Sequence, residues 1–264
     1  MAKDATKDHS GGGDPARSLA LLWRKQTQAP VRNGRRDLSV DRIVAAAIEV
    51  ADTDGLGALS MRRVADKLNV GTMSLYTYVP GKAELVDLML DTVYADTPQP
   101  APEVAEDNRR CWRARLEQVA RRNWDLYHRH PWMLRVGVSR PPLGPNVMAK
   151  YDYELGTVAG IGLSETEMDT VLTLVIGHAE TSARRAVEAD GDGEGGVSEQ
   201  QWWAAHSPVL TTLLDHTRYP LAAAVVAAVG QAADDPQRVF EFGLARILDG
   251  VQALVDSRDG STQA

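Results

Sequence analysis

The sequence predicts an all-α protein, with a compact helix-turn-helix unit near its N-terminus and a larger helical half after it. Apolar residues recur at helical spacing in both halves. Ser, Asp or Pro stands where each such run begins, with Gly or Asn where several end. No stretch alternates apolar and polar residues as a half-buried strand does. The 264 residues, 44% of them hydrophobic, are ample for a packed core.

The elements follow in order. Residues 1–18, rich in Gly, Asp, Ser and Lys, offer almost nothing to bury and are expected to be disordered. A short apolar patch, LALLWRKQ (19–26), and a basic, turn-rich linker, TQAPVRNGRRD (27–37), complete an N-terminal arm placed at 1–37. The first helix is expected from Ser39, a good N-cap with Asp41 in the first turn. Ile43, Val44, Ala47, Ile48 and Ala51 line one of its faces, and Gly55 ends it. Ser60 caps a second, short helix whose inward stripe is Val64, Ala65 and Leu68, and Asn69-Val70-Gly71 is the turn after it. The next stretch, GTMSLYTYVPGK (71–82), is a third short helix stopped by Pro80. A fourth runs from Lys82 to about Tyr94 on Leu85, Val86, Leu88, Met89 and Val93.

A helix, a tight turn and a second short helix form the geometry that enters a DNA major groove. On a helical wheel Leu75 and Val79 point inward, toward Val64 and Leu68, while Met73 and Thr77 point outward, flanked by Thr72, Ser74, Tyr76 and Tyr78. Short hydroxyls suit phosphates and base edges, Thr or Met suits a thymine methyl, and a tyrosine hydroxyl can reach a phosphate. Arg62, Arg63 and Lys82 lie beside this surface, and residues 15–82 hold 11 basic against 6 acidic side chains, whereas the whole chain carries −7. Either tyrosine alone is also explained by half-buried packing; the full set on one face is not.

LSVDRIVAAAIEVADTDGLGALSMRRVADKLNVGTMSLYTYVPGKAELVDLML resembles the DNA-binding domain of the tetracycline-repressor (TetR) family, over about residues 38–96. The resemblance implies DNA contacts from Ser60, Arg62, Thr72, Met73, Ser74, Tyr76, Thr77, Tyr78 and Lys82. Tyr76 and Lys82 match the family's phosphate contacts, and Met73 and Thr77 fall at its variable, operator-reading positions.

The rest, 97–257, is expected to be a helical ligand-binding and dimerisation domain, with a disordered tail at 258–264. Trp112, Leu116, Val119 and Trp124 have near-helical spacing. Ser164 and Glu167 form a capping box at the head of a long helix ending near Val187. DGDGEGGVS (190–198) is a flexible loop, and a last helix from Pro236 to about Val255 carries one wide apolar stripe. HPWMLRVGVSRPPLGPN, GIGLSETEMDTVLTLVIGH and QWWAAH resemble the family's C-terminal domain, which implies a homodimer built on the helix from Glu165 and the last helix. A two-fold dimer would read a near-palindromic double-stranded operator.

Trp112, Trp124, Tyr127, Trp132, Met133, Met148, Tyr151, Met168, Leu172, His178 and Trp202 are the candidate lining of a pocket for a small apolar or amphipathic effector, with Arg135 and Glu180 as further polar anchors. Taken singly, such residues more often pack inside than touch a ligand. The metal-ligating histidine of the family's tetracycline-binding member falls on Val136 and its ligand-contacting histidine near Pro98, so no metal chelate and no cofactor is implied. His128 and His130, two apart, diverge too far on a helix to share a metal.

Cys111 is the only cysteine, which with the lack of a signal-peptide core or membrane-length apolar run gives the expectation of a reducing, cytoplasmic setting. No phosphate loop, nucleophile elbow or zinc constellation is present, and the expectation is no enzyme. The reading is a DNA-binding transcriptional regulator, a repressor released by a small molecule. The alternatives are an effector-independent architectural DNA-binding protein and, behind it, a small-molecule-processing enzyme.

Overall fold

Ser39 opens the N-terminal head as its side chain requires: extended at φ −138°, it accepts a hydrogen bond from the Arg42 amide at 3.2 Å and starts a helix that Gly55, at φ 80°, stops. The computed structural model describes residues 14–24, 38–95, 108–136, 141–190, 199–229 and 235–261, and all regular structure among them is helical. The head comprises α1 (Pro15–Leu22), α2 (Val40–Asp54), α3 (Met61–Leu68), α4 (Thr72–Tyr76) and α5 (Lys82–Ala95). Behind it come α6 (Asn108–Arg129), α7 (Pro145–Gly156), α8 (Glu165–Asp190), α9 (Glu199–Leu213), α10 (Pro220–Val229) and α11 (Pro236–Ser261). Tight 3-10 turns occupy Leu56–Ala58 and Pro131–Arg135.

One expectation fails at once. Residues 14–18, placed in a disordered segment, begin α1: Asp14 caps it by accepting from the Ala16 amide at 3.0 Å, and Pro15 has no amide to leave unpaired. The helix is held because Leu22 is buried and the Trp23 indole N–H donates to the Leu143 carbonyl at 2.8 Å, a tie across 120 residues that no local pattern displays. At the other end α11 runs on to Ser261, past the expected boundary at 257, with Arg258 bonded to Glu167 at 2.5 Å. The expected basic linker, the 190–198 loop beyond Asp190, Pro98 and residues 262–264 lie outside the described residues.

Two apolar clusters organise the chain. In the head, Ile43, Val44, Ala47, Val64, Ala65, Leu75, Val79, Leu85 and Met89 pack together, and Tyr127, Trp132, Met133, Leu134, Val136 and Ala183 from the larger half join the same cluster. Apolar packing therefore runs across the boundary expected at 96/97. The second cluster is a helical layer of α6, α8 and α11, built on Trp112, Leu116, Leu172, Val175, Phe240, Leu244 and Leu248. Charged pairs Arg113–Asp249 at 2.6 Å and Arg121–Glu241 rim the α6–α11 contact. The capping box at α8 forms, the Ser164 amide donating to Glu167 at 2.9 Å.

Helix α5 is buried on most of its surface, which makes Asp91 a special case. Its carboxylate accepts from the backbone amides of Asn146 and Val147 and from the Asn146 side chain, each at 3.0 Å, and so caps α7 from another helix. Burial pushes this carboxyl above its ordinary range even though those bonds pull it down. Gly144 has to be glycine here, since a Cβ would stand 2.1 Å from the Asp91 carboxylate.

Candidate nucleic-acid interface

The Ser60 hydroxyl accepts from the Arg63 amide at 3.2 Å and sets the first turn of α3. Asn69 ends that helix in the left-handed region, φ 55° and ψ 47°, a conformation Asn tolerates better than most residues. The chain turns through Gly71 into α4, shorter than the full 71–80 stretch because the helix gives way to a turn at Thr77 and Tyr78. The Val79 amide still bonds the Leu75 carbonyl at 2.8 Å, so the inward register persists through the turn.

That register decides the surface. Leu75 and Val79 are both 0% exposed, whereas Met73 is 78% exposed. Ser74, Tyr76, Thr77 and Tyr78 are exposed as well, and Thr72 is half-buried. A helix of five residues can hardly hold itself; the inward Leu75 and, just beyond it, Val79 clamp α4 to the head cluster and present the rest to solvent. An exposed methionine beside two exposed tyrosines makes little sense as packing and good sense as a surface awaiting a partner.

The basic residues divide. Arg63 is held by Asp54 at 2.6 Å and Lys67 by Glu49 at 2.8 Å, so both charges are locally balanced. Arg62 is almost fully exposed, and its contact with Asp66 spans 3.9 Å. Lys82 opens α5 just after the turn and is half-buried. The ten candidates thus lie on two short helices, at the cap and turn beside them, and at the start of a third helix, with Arg62 better placed than Arg63 for a phosphate.

Known proteins share this arrangement. Residues 43–89 match the family model of bacterial regulatory proteins of the tetR family, and residues 104–255 match the tetracyclin repressor-like C-terminal domain. The chain belongs to the tetR family. It is a DNA-binding transcriptional regulator. It is 41% identical over 255 residues to the HTH-type transcriptional repressor DrrR1 of Streptomyces coeruleorubidus, covering 96% of this chain and 91% of that one. It is 27% identical to the class A tetracycline repressor protein of Escherichia coli, over 81% of this chain and 90% of that one. The crystal structure of ActR from Streptomyces coelicolor in complex with actinorhodin superposes with a TM-score of 0.70 at 28% identity, covering 83% of this chain and 97% of that one.

In this tetR-family chain the eleven candidate effector residues are not gathered into one lining. Trp112 and Leu172 lie in the core layer, with Met168 and Trp124 at its edge. Tyr127, Trp132 and Met133 belong to the cluster shared with the head. Met148, Tyr151 and Trp202 are exposed, Tyr151 bonded to Asp169 at 2.8 Å and Trp202 stacked on His206 with ring centroids 4.0 Å apart. The His178 ring nitrogen bonds the Phe240 carbonyl at 2.9 Å, at the contact of α8 with α11. Of the further anchors, Arg135 is exposed, and Glu180 pairs with Arg184 at 2.8 Å. Residue type identified aromatic and methionine positions but not the helix faces that carry them.

A buried, convergent polar group lies elsewhere in the larger half. Lys150 and Glu154 form a buried ion pair at 2.5 Å, and the Asn123 amide donates to the same Glu154 oxygen at 2.8 Å. Lys150 sits 5.3 Å from the centre of the Tyr94 ring. Burial, with the nearby charges of Glu154 and Glu180, pushes the Tyr94 hydroxyl well above its ordinary range; Tyr127 is raised in the same way, so both phenols keep their protons at neutral pH. Asn123 is 1% exposed, and its carbonyl oxygen has no hydrogen-bond partner among the described residues. The sequence held one sign of this: Asn123 interrupts the apolar stripe of α6 between Val119, Ala120 and Leu126. Among the described residues no group of His, Cys, Asp and Glu could hold a metal ion, and no helix is long and apolar enough to cross a membrane.

Proposed function

We propose that the protein is a homodimeric repressor that binds a near-palindromic operator through α4 and is released by a small apolar or amphipathic effector held in the larger half. The observation that carries the reading is the clamped recognition segment: fully buried Leu75 and Val79 beneath an exposed Met73 and two exposed tyrosines. Tyr76 and Lys82 hold phosphates, Arg62 assists them, and Met73 and Thr77 read bases, with Ser60, Arg63, Thr72, Ser74 and Tyr78 framing the contact. Effector and operator then weaken each other reciprocally.

Exposed Leu174 on α8 and exposed Val239 and Phe242 on α11 support a second copy as the cover of that face. The orphaned carbonyl of Asn123, beside Lys150 and Glu154, supports an effector that brings a hydroxyl or amine donor on an apolar frame, since an unpaired buried acceptor is costly without a ligand or water. ActR, solved with actinorhodin, is a precedent for a small organic ligand in this architecture. The reading places the protein in the cytoplasm and assigns it no catalysis and no cofactor.

Selection of duplexes from random DNA, followed by affinity measurement against salt, tests this. A dimeric operator reader recovers a near-palindrome and favours it over random DNA by about 10³-fold or more. Tyr76→Ala and Lys82→Ala lower binding to both DNAs in parallel, and Lys82→Ala flattens the salt dependence by about one counterion per protomer. Recovery of no common sequence, with equal affinity for all duplexes, would mean an architectural binder instead.

A further inference from the structure

The head is fastened to the larger half through Asp52. This residue lies in the last turn of α2, the helix packed directly against α3. One of its oxygens, Oδ1, accepts two hydrogen bonds from the other half: from the His130 ring Nδ1 at 2.8 Å and from the Trp132 indole N–H at 2.8 Å. Both donors are buried; His130 stands at the N-cap of the 3-10 turn Pro131–Arg135 and Trp132 lies within it. The other His130 nitrogen, Nε2, is buried with no partner among the described residues, so the ring serves this contact at a cost in unmet hydrogen bonding.

The chemistry separates cohesion from orientation. The apolar cluster that head and larger half share holds them together, but apolar contact is non-directional and tolerates sliding. Hydrogen bonds weaken steeply off-axis, and two that converge on one oxygen from different rings fix how α2, and α3 and α4 with it, is turned. The other polar ties reported above, Trp23 to Leu143, Asp91 to the head of α7 and Lys150 to the Tyr94 ring, start from α1 and α5 and bond no atom of α2.

We propose that Asp52 is a positioning residue for operator recognition: through His130 and Trp132 it sets the angle of the recognition helix on its scaffold, and in a dimer it thereby fixes the half-site spacing the protein accepts. This rests on the dimeric operator reading. A pair of rigidly held heads fits half-sites one helical turn apart and rejects others, whereas loosened heads tolerate displacement.

The test uses the full chain and the palindrome recovered by selection, with versions whose half-sites are moved apart or together by one and two base pairs. Wild-type protein is expected to bind the displaced versions at least tenfold more weakly than the original, on the scale of one lost base-pair contact. In Asp52→Ala and Trp132→Phe that penalty is expected to fall by about tenfold, the worth of one or two bonds to a charged acceptor. Thermal unfolding confirms that the variants are folded, and the isosteric Asp52→Asn replaces Asp52→Ala should the latter be unstable. Folded variants that keep the wild-type penalty overturn the role of Asp52. A wild-type protein indifferent to spacing overturns the dimeric operator reading itself, a separate result.

Discussion

Glu154→Ala is expected to destabilise the protein by about 3–5 kcal/mol, the cost of leaving a buried charge without its partner. Lys150 and Glu154 have side chains only 8% and 4% exposed, so the ammonium cannot turn to water when the carboxylate is removed. Its remaining neighbour is the Tyr94 ring at 5.3 Å, and a desolvated cation–π contact returns only about 2 kcal/mol. Asn123 loses an acceptor in the same step, adding about 1 kcal/mol. The double variant Lys150→Met, Glu154→Leu removes both charges, and similar volumes of apolar side chain are expected to recover most of the loss. Urea unfolding at one fixed protein concentration measures both, because the proposed dimer would make stability depend on concentration. A single-variant loss under about 1 kcal/mol, the range of an exposed pair, would show that the pair is solvated.

Leu75→Ala is the second large effect, about 2–5 kcal/mol of local stability, from lost burial and the cavity left behind. Its reach is functional because α4 has five residues and hangs on Leu75 and Val79 alone. The variant is expected to keep its helical content and, with the proposed α8–α11 dimer face untouched, its oligomeric state, while operator binding falls to the level of random DNA. Circular dichroism, sizing and operator titration on one preparation check this. Full operator affinity in Leu75→Ala would show that α4 is not clamped from below.

The head was legible because its signals are local. Ser39 and Ser60 announce their helices by capping them, and the inward pair Leu75 and Val79 follows from a wheel drawn on ten residues. Asp14 and Pro15 carry the same kind of signal, yet with so little apolar content before Leu19 the segment reads as unstructured; Trp23 meeting Leu143 is what makes it worth ordering. The larger half resists for the corresponding reason. Trp132 looks like a pocket aromatic and instead joins the halves through Asp52, 80 residues away, while the buried group around Glu154 joins it to Asn123 across two helices. Helices α9 and α10 were also unforeseen beyond QWWAAH; their apolar residues, Leu213 and Leu221 among them, are largely exposed and give no stripe from which a packing face can be read.

Base selection with the Met73→Ala and Thr77→Ala variants decides whether the outward face of α4 and the turn after it reads sequence. Each variant is expected to shift the preferred base at a defined position in both half-sites, costing about 1–3 kcal/mol on the wild-type operator while affinity for random DNA is unchanged. Equal losses on operator and random DNA, with the recovered sequence unaltered, would contradict it.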